Sequence, residues 1–271
     1  MDAHLPSPIK VALTIAGSDS CGGAGIQADL KTFQALGVYG VSAITAVTVQ
    51  NTRKIFAIQE VDPRIVHDQI ACLFEDMKIQ AVKIGMVSSV GLIQAIAEAL
   101  AKYQGPPVVL DPVMISKSGY ALLRPDAQRA LIELLFPLAE VVTPNLPEAG
   151  LLTGQDILTV EQMEAAAKQI VESGVGKVVV KGGHLAGDQA IDVLYDGWRF
   201  QRLAGPRIGS GEIHGTGCTF SSAITAILAR GSSFFEAVQQ AKSYITGAIA
   251  HGLKIGEGHG LAHHFWRNPG V

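Results

Sequence analysis

Short apolar runs alternate along the chain with stretches whose apolar residues recur at helical spacing. Residues 11–16 (VALTIA) predict a buried strand. A glycine-rich turn follows, then a helix from about Gly25 on which Ile26, Leu30 and Phe33 share one face. Residues 41–50 are β-branched and strand-like, and Pro63 begins a helix with a stripe of Val66, Ile70, Leu73, Phe74 and Met77. Residues 82–84 and 108–110 predict two short strands on either side of a helix through Ile93, Ile96, Ala97 and Leu100. A helix near 124–136, a strand at 141–143, another helix and a strand at 177–180 come next. Residues 191–194 and 198–203, joined by Asp196-Gly197, read as a hairpin, and helices near 218–229 and 234–252 complete the order.

Strands that are apolar almost without interruption, alternating with helices, predict an α/β fold: a central, mostly parallel sheet with helices on both faces. No repeat, low-complexity tract or linker divides it, so one domain is expected over residues 1–271, with 1–8 and 256–271 as tails. Hydrophobic residues make up 48% of the chain and charged residues 17%, which excludes a disordered, charge-stretched polymer. The net charge of −3 is spread without a like-charge block, so neither nucleic acid nor a membrane surface is an expected partner. No run of about 18 apolar residues predicts a span, and the first ten residues lack the pattern of a secretory signal. Cys21, Cys72 and Cys218 are odd in number and far apart, which argues against a disulfide framework or a zinc motif and for a cytoplasmic location.

The common catalytic signatures are missing: there is no GxxxxGK[ST] loop, no GxGxxG after the first strand, no GxSxG and no HExxH. What stands out is position. Open α/β sheets bind ligands beyond the carboxyl ends of their strands. Here those ends carry Gly17-Ser18-Asp19, Gln50-Asn51-Thr52, Lys83 and Met86, Asp111, Thr143 with Asn145 and Glu148, and Lys181-Gly182-Gly183. Each alone reads equally as turn chemistry; together they describe one polar crevice. His214-Gly215-Thr216-Gly217-Cys218 opens a helix, where free backbone N–H groups and the helix dipole favour an anion. The same glycines would also serve as a plain N-cap packed close to the sheet. An accessible Cys218 in that first turn is expected to have a lowered thiol pKa, whereas Cys72 reads as an inert core thiol.

The ordered series of these blocks resembles a known family. It comprises Ala16-Gly17-Ser18-Asp19-Ser20, Gly22 to Phe33, Val49-Gln50-Asn51-Thr52, Lys83-Ile84-Gly85-Met86 and Asp111-Pro112-Val113-Met114. It continues in Thr143-Pro144-Asn145-Leu146-Pro147-Glu148-Ala149, Lys181-Gly182-Gly183-His184 and His214 to Thr219, spanning about residues 9–255. This series is similar to that of the hydroxymethylpyrimidine and hydroxymethylpyrimidine-phosphate kinases of thiamine synthesis. The resemblance implies a ribokinase-like fold, a homodimer, and two successive MgATP-dependent phosphorylations. It implies catalytic roles for Cys218 as base, Lys181 as a positive charge on the transferring phosphates, and the Gly215-Thr216-Gly217 turn. It implies a pyrimidine pocket of Gln50, Gly17, Asp29, Met86 and Val113, with Asp29 accepting a hydrogen bond from substrate. Lys181, Asn145 and Gly217 would face the nucleotide, and Glu148 with Asp111 would order Mg²⁺. Wider ribokinase-like kinases place an aspartate where this chain has Cys218. Two other readings stand beside this one: a pyridoxal kinase on the same scaffold, and a non-catalytic pyrimidine-binding regulator. The stretches 117–123 and 20–23 are candidate lids.

Overall fold

The computed structural model describes residues 9–103, 105–115, 119–208 and 213–267. The order of elements begins β1 (Val11–Ser18), α1 (Gly25–Ala35), β2 (Tyr39–Gln50), β3 (Ile55–Glu60), α2 (Pro63–Asp76), β4 (Ala81–Ile84), α3 (Val90–Ala101), β5 (Val108–Leu110) and α4 (Ala127–Ala130). It continues through β6 (Val141–Val142), α5 (Leu146–Thr153), α6 (Val160–Glu172), β7 (Lys177–Val180), β8 (Gln189–Tyr195), β9 (Phe200–Pro206), β10 (Ile213–His214), α7 (Thr216–Ala229), α8 (Phe234–Ala250) and β11 (Gly260–Leu261).

Nine strands form one sheet in the order β3-β2-β1-β4-β5-β6-β7-β8-β9. The run from β2 to β7 is parallel throughout, and β3, β8 and β9 pair antiparallel at the two margins. Alternate side chains of each strand feed two different cores. Leu13, Ile15, Val82, Ile84, Val108, Leu110, Val142, Val178 and Val180 pack on one face with residues of α2, α3, α5 and α6. Ala12, Ala81, Val109, Val141 and Val179 pack on the other with α1, α7 and α8. Phe33 and Tyr244 are among the largest side chains buried on that second face, each worth roughly 1.5–3 kcal/mol of transfer free energy. The chain leaves β1 for β2 on one side and reaches β4 on the other. That reversal opens a crevice at the carboxyl ends of β1 and β4.

Local chemistry fixes where the helices start. Asp62 caps α2 by accepting from the Arg64 N–H at 2.8 Å, with Pro63 at the first helical position. Asn145 and Glu148 form a reciprocal capping box on α5, as Thr159 and Gln162 do on α6.

The arrangement of the elements and their burial depart from the sequence reading in five places. β3 was not expected; it is an edge strand whose Phe56 and Ala57 are exposed, so no buried face marks it. The helix expected near 124–136 is one α-turn, then a π-helical stretch Leu131–Leu135 and a 3₁₀ turn Phe136–Leu138 with Pro137 in its first positions. Trp198 is 94% exposed in the turn before β9 and does not begin a strand. Cys72 is exposed rather than in the core, because the buried side of α2 is the narrower stripe Val66 and Ile70. The stretch from Gly256, expected as a tail, is packed as far as the described residues run. β11 pairs with β10, Leu261 and Ala262 are buried, and the Trp266 indole N–H donates to the Tyr244 carbonyl at 3.1 Å. A Cβ on Gly247 would lie 2.2 Å from the Trp266 ring, so that indole rests directly on the backbone of α8. Residues 1–8, 116–118 and 268–271, which include part of the expected lid and tails, lie outside the described residues.

Candidate active site

Asp19 organises the loop after β1. Its Oδ1 accepts from the Cys21 N–H (3.0 Å), and its Oδ2 accepts from the N–H groups of Gly23 (3.0 Å) and Ala24 (2.8 Å). His214 Nε2 lies 3.2 Å from the same Oδ2, so the loop is tied to the segment that precedes α7. Burial works against ionisation of Asp19, but the donors from His214, Cys21 and Ala24 outweigh it and hold the carboxyl below its ordinary range. The two glycine-rich segments touch directly: a Cβ on Gly215, whose φ is +78°, would sit 1.7 Å from the Gly23 carbonyl oxygen.

Beneath this contact lies a fully buried ion pair. Lys83 on β4 donates to both oxygens of Asp29 on α1, at 3.0 and 2.8 Å. Thr14 (2.6 Å) and Ser222 (2.6 Å) donate to the remaining lone pairs. A carboxylate offers about four acceptor sites, and protein donors fill all of them. Asp29 therefore does not accept from substrate in this arrangement; the expected contact is corrected to a support under the site. Ser222 stands one helical turn beyond Cys218 on α7, which puts the pair under the Cys218 thiol. Burial opposes the charge on Lys83, yet Asp29, with Cys218 and Asp111 behind it, raises its pKa above the ordinary lysine range. Lys83 carried a strand-end position in the sequence, but Thr14 and Ser222 had no signal except their registers with Lys83 and Cys218.

Further along the carboxyl edge, Lys181 Nζ donates to Asp111 Oδ1 at 3.1 Å, with Thr143 (3.3 Å) on the same oxygen and Ser221 (3.3 Å) on Oδ2. Gly217 is pressed against this pair, for its Cβ would meet Lys181 Nζ at 3.4 Å and Asp111 Oδ2 at 3.6 Å. Asp111 and Glu148 keep Lys181 protonated despite its burial. Glu148 accepts the Asn145 N–H at 2.8 Å. Desolvation pushes its carboxyl up to about 7, with Asp111 adding to the rise and Lys181 opposing it. A cation bound there would relieve that desolvated, mutually repelling pair. Two carboxylates are also the hard oxygen donors that suit Mg²⁺, so the residues fit such an ion.

α7 starts at Thr216, and its N-cap Gly215 offers no side-chain cap to the first-turn N–H groups, the arrangement that suits an anion. Cys218 lies in that turn and takes a hydrogen bond from the Gly25 N–H. The expected lowering of its thiol pKa is not what the surroundings produce. Burial, with Asp29 and Asp111 nearby, pushes it up to about 11 against the opposing pull of Lys83.

On the opposite lip, Gln50 reaches His214 Nε2 at 3.0 Å with one end of its amide and Thr48 Oγ1 at 3.3 Å with the other. Thr48 gives its single hydroxyl hydrogen to the Ser18 carbonyl at 2.9 Å. The same hydroxyl lies against Gln50 Oε1, which leaves the amide nitrogen facing His214 Nε2. Met86 and Gly17 form one wall together, the Met86 sulfur lying 3.3 Å from where a Gly17 Cβ would be. Val113 is half-buried just past Asp111. Ser20 holds the loop to β2 by donating to the Gln50 carbonyl at 2.8 Å. No helix of the described residues is long and apolar enough to cross a membrane.

The doubly covered sheet is that of the ribokinase-like phosphotransferases, on whose solved structures it superposes. The family model described as phosphomethylpyrimidine kinase matches residues 19–263. A hydroxymethylpyrimidine/phosphomethylpyrimidine kinase from Rhizobium meliloti (strain 1021) is 55% identical over 260 residues, covering 95% of this chain and 97% of its own. Among solved structures, phosphomethylpyrimidine kinase from Clostridium difficile 630 superposes with a TM-score of 0.79 at 50% identity, covering 89% of this chain and 99% of that one. An ADP complex of Bacillus subtilis pyridoxal kinase gives a TM-score of 0.88 at 42% identity over 94% and 97%. The chain belongs to the phosphomethylpyrimidine kinase family.

Proposed function

We propose that the protein phosphorylates 4-amino-5-hydroxymethyl-2-methylpyrimidine and then its monophosphate, using MgATP, in thiamine diphosphate biosynthesis. The observation that carries this reading is the meeting of Cys218, Lys181, Asp111 and Glu148 at the sheet edge that also carries Gln50, in a chain that matches the family over residues 19–263. MgATP, when bound, supplies the transferable phosphoryl group and a cation that offsets the two carboxylates. The N–H groups at Gly215, Thr216 and Gly217 steady the anionic oxygens, and Lys181 adds a fixed positive charge. Asn145 holds Glu148 through the capping box, and Asp111 holds Lys181. Gln50 exchanges His214 and Thr48 for the amino group and ring nitrogen of the pyrimidine, between the apolar surfaces of Met86 and Val113 and close to the Gly17 backbone. Cys218 rests as a neutral thiol; it releases that proton to solvent once the surrounding negative charge is offset, and the thiolate then accepts the hydroxyl proton. In this reading the whole chain works as one kinase domain. It forms a homodimer through the β2–β3 ribbon, where Val47, Val49 and Phe56 are each more than half exposed.

The test is a product-resolved assay with MgATP and, separately, the hydroxymethylpyrimidine, its monophosphate and pyridoxal. The reading expects pyrimidine diphosphate from both pyrimidine substrates. The likeness to the Bacillus subtilis pyridoxal kinase favours pyridoxal as the second candidate. Efficient pyridoxal phosphorylation with little pyrimidine diphosphate would move the protein to vitamin B6 salvage. No turnover of any of the three would leave a binding protein. Light scattering checks the dimer, which Val49→Asp is expected to dissociate.

A further inference from the structure

Asp19, Cys21 and His214 bring one carboxylate oxygen, one sulfur and one imidazole nitrogen to a single point beside Gln50. Their ligating atoms all lie within 4.8 Å of one another. Cys21 Sγ is 3.3 Å from Asp19 Oδ2, and His214 Nε2 is 3.2 Å from the same oxygen. A tetrahedral zinc-class ion, with bonds of about 2.0–2.2 Å to N and O and about 2.3 Å to S, needs its ligand atoms about 3.3–3.6 Å apart. The two oxygen-centred separations already fall close to that spacing. The Cys21 thiol donates to Asp19 Oδ2 and His214 Nε2 faces the same oxygen, so a single divalent ion between the three atoms would replace the thiol proton and use the Nε2 lone pair. The backbone N–H bonds to Asp19 hold the carboxylate in place before any ion arrives. The Gln50 amide stands 3.0 Å from His214 Nε2, so an ion on that nitrogen confronts the Gln50 side chain directly. The sequence hid this set because His214 is far along the chain from the other two residues.

We propose that Asp19, Cys21 and His214 form a binding site for a thiophilic divalent cation of the zinc class, and that its occupation inhibits the enzyme by holding Gln50 and His214 away from substrate. On binding, the Cys21 thiol forms the S–metal bond and loses its proton to solvent. His214 keeps one proton, on Nδ1, and bonds the metal through Nε2. Only the inhibition rests on the kinase reading; the binding does not.

The binding arm uses Co²⁺ on the purified full chain. We expect one equivalent to produce a thiolate-to-cobalt absorption band that Zn²⁺ abolishes by competition. Cys72→Ser should retain the band, and both Cys21→Ser and Cys21→Ala should lose it, with Zn²⁺ affinity lowered at least about 100-fold. Absence of the band in the native chain, or its persistence in both Cys21 variants, overturns the site. The inhibition arm measures MgATP turnover at buffered free Zn²⁺. The native chain should be inhibited and reactivated by chelator, while Cys21→Ser keeps basal turnover and resists zinc. Equal inhibition of both forms overturns the inhibitory role while leaving the binding result intact. If no substrate is turned over at all, the kinase reading fails and the cobalt titration still decides the site.

Discussion

Gly215→Ala is the substitution for which the structure gives the sharpest expectation. Two separate penalties meet at this residue. Its φ of +78° puts any L side chain in the left-handed region, at a cost of about 1–2 kcal/mol. The added Cβ would also lie 1.7 Å from the Gly23 carbonyl oxygen, where real contacts are essentially never under 3.0 Å, so the two loops must part by more than 1 Å. Gly37→Ala isolates the first penalty, since its φ is +74° and nothing lies within 4 Å of the new methyl group. For a chain of this size each kcal/mol lowers Tm by about 2–4 °C, so Gly37→Ala should melt a few degrees lower and keep full activity. Gly215→Ala should melt lower still, because overpacking adds about 1–3 kcal/mol. Its kcat/KM should fall on the order of 100-fold, because the parting displaces the first turn of α7 relative to the substrate lip. The assay is steady-state phosphorylation beside thermal melts of both variants. If Gly215→Ala matched Gly37→Ala in both activity and Tm, the close contact between the loops would not be what positions the helix.

Three further outcomes follow from the same geometry. In single-turnover assays Cys218→Ala should slow transfer to the hydroxymethyl group more than transfer to the monophosphate, whose acceptor is already an anion; equal losses would remove the base role. Glu148 has its carboxyl pushed up from 4.5 to about 7, so the stability it confers is present below about pH 4.5 and is lost as pH rises through about 7. Without Mg²⁺, Glu148→Gln should therefore flatten the fall of Tm between pH 5 and 8, an effect of the order of 3 kcal/mol at most, and a parallel pH profile would contradict the shift. Lys83→Met strands Asp29 in the core and should cost about 3–5 kcal/mol, measured by denaturant unfolding. The double variant with Asp29→Asn should recover part of that loss, and strict additivity would argue against a coupled pair.

The parallel core strands were legible because they are buried on both faces and leave unbroken apolar runs, as at Val108–Leu110 and 178–180. β3 escaped notice because an edge strand with an exposed Phe56 has no such pattern. The packed stretch after Gly256 was misread for a related reason. What orders it is Trp266 seated on the bare backbone of Gly247 and two backbone N–H groups, of Gly258 and His259, held by Thr52. None of those contacts leaves a local periodicity. At the site, strand-end position and motif together singled out Lys181, Asp111, Glu148 and Cys218. They did not show that Asp29 is saturated by Lys83, Thr14 and Ser222, because pairing across 54 and 193 positions depends on register between elements. The acidity of Cys218 was misjudged for the same reason. A helix N-terminus lowers a thiol pKa only where its pull outweighs desolvation and nearby negative charge, and here desolvation and two carboxylates prevail.

The contacts that close the crevice join opposite ends of the polypeptide. Asp19 meets His214 across 195 positions, Asp29 meets Ser222 across 193, and Thr52 meets Gly258 across 206. During synthesis, the strands from β1 to β7 can pair as they emerge, but the crevice stays incomplete until α7 and the segment after it leave the ribosome. Sequence-distant contacts of this kind also form late, because the entropy of closing so long a loop is spent before they contribute. Recovery of kinase activity in a refolding experiment should therefore lag behind recovery of helical signal, and enzyme turnover becomes a clock for the final docking of the chain's two ends.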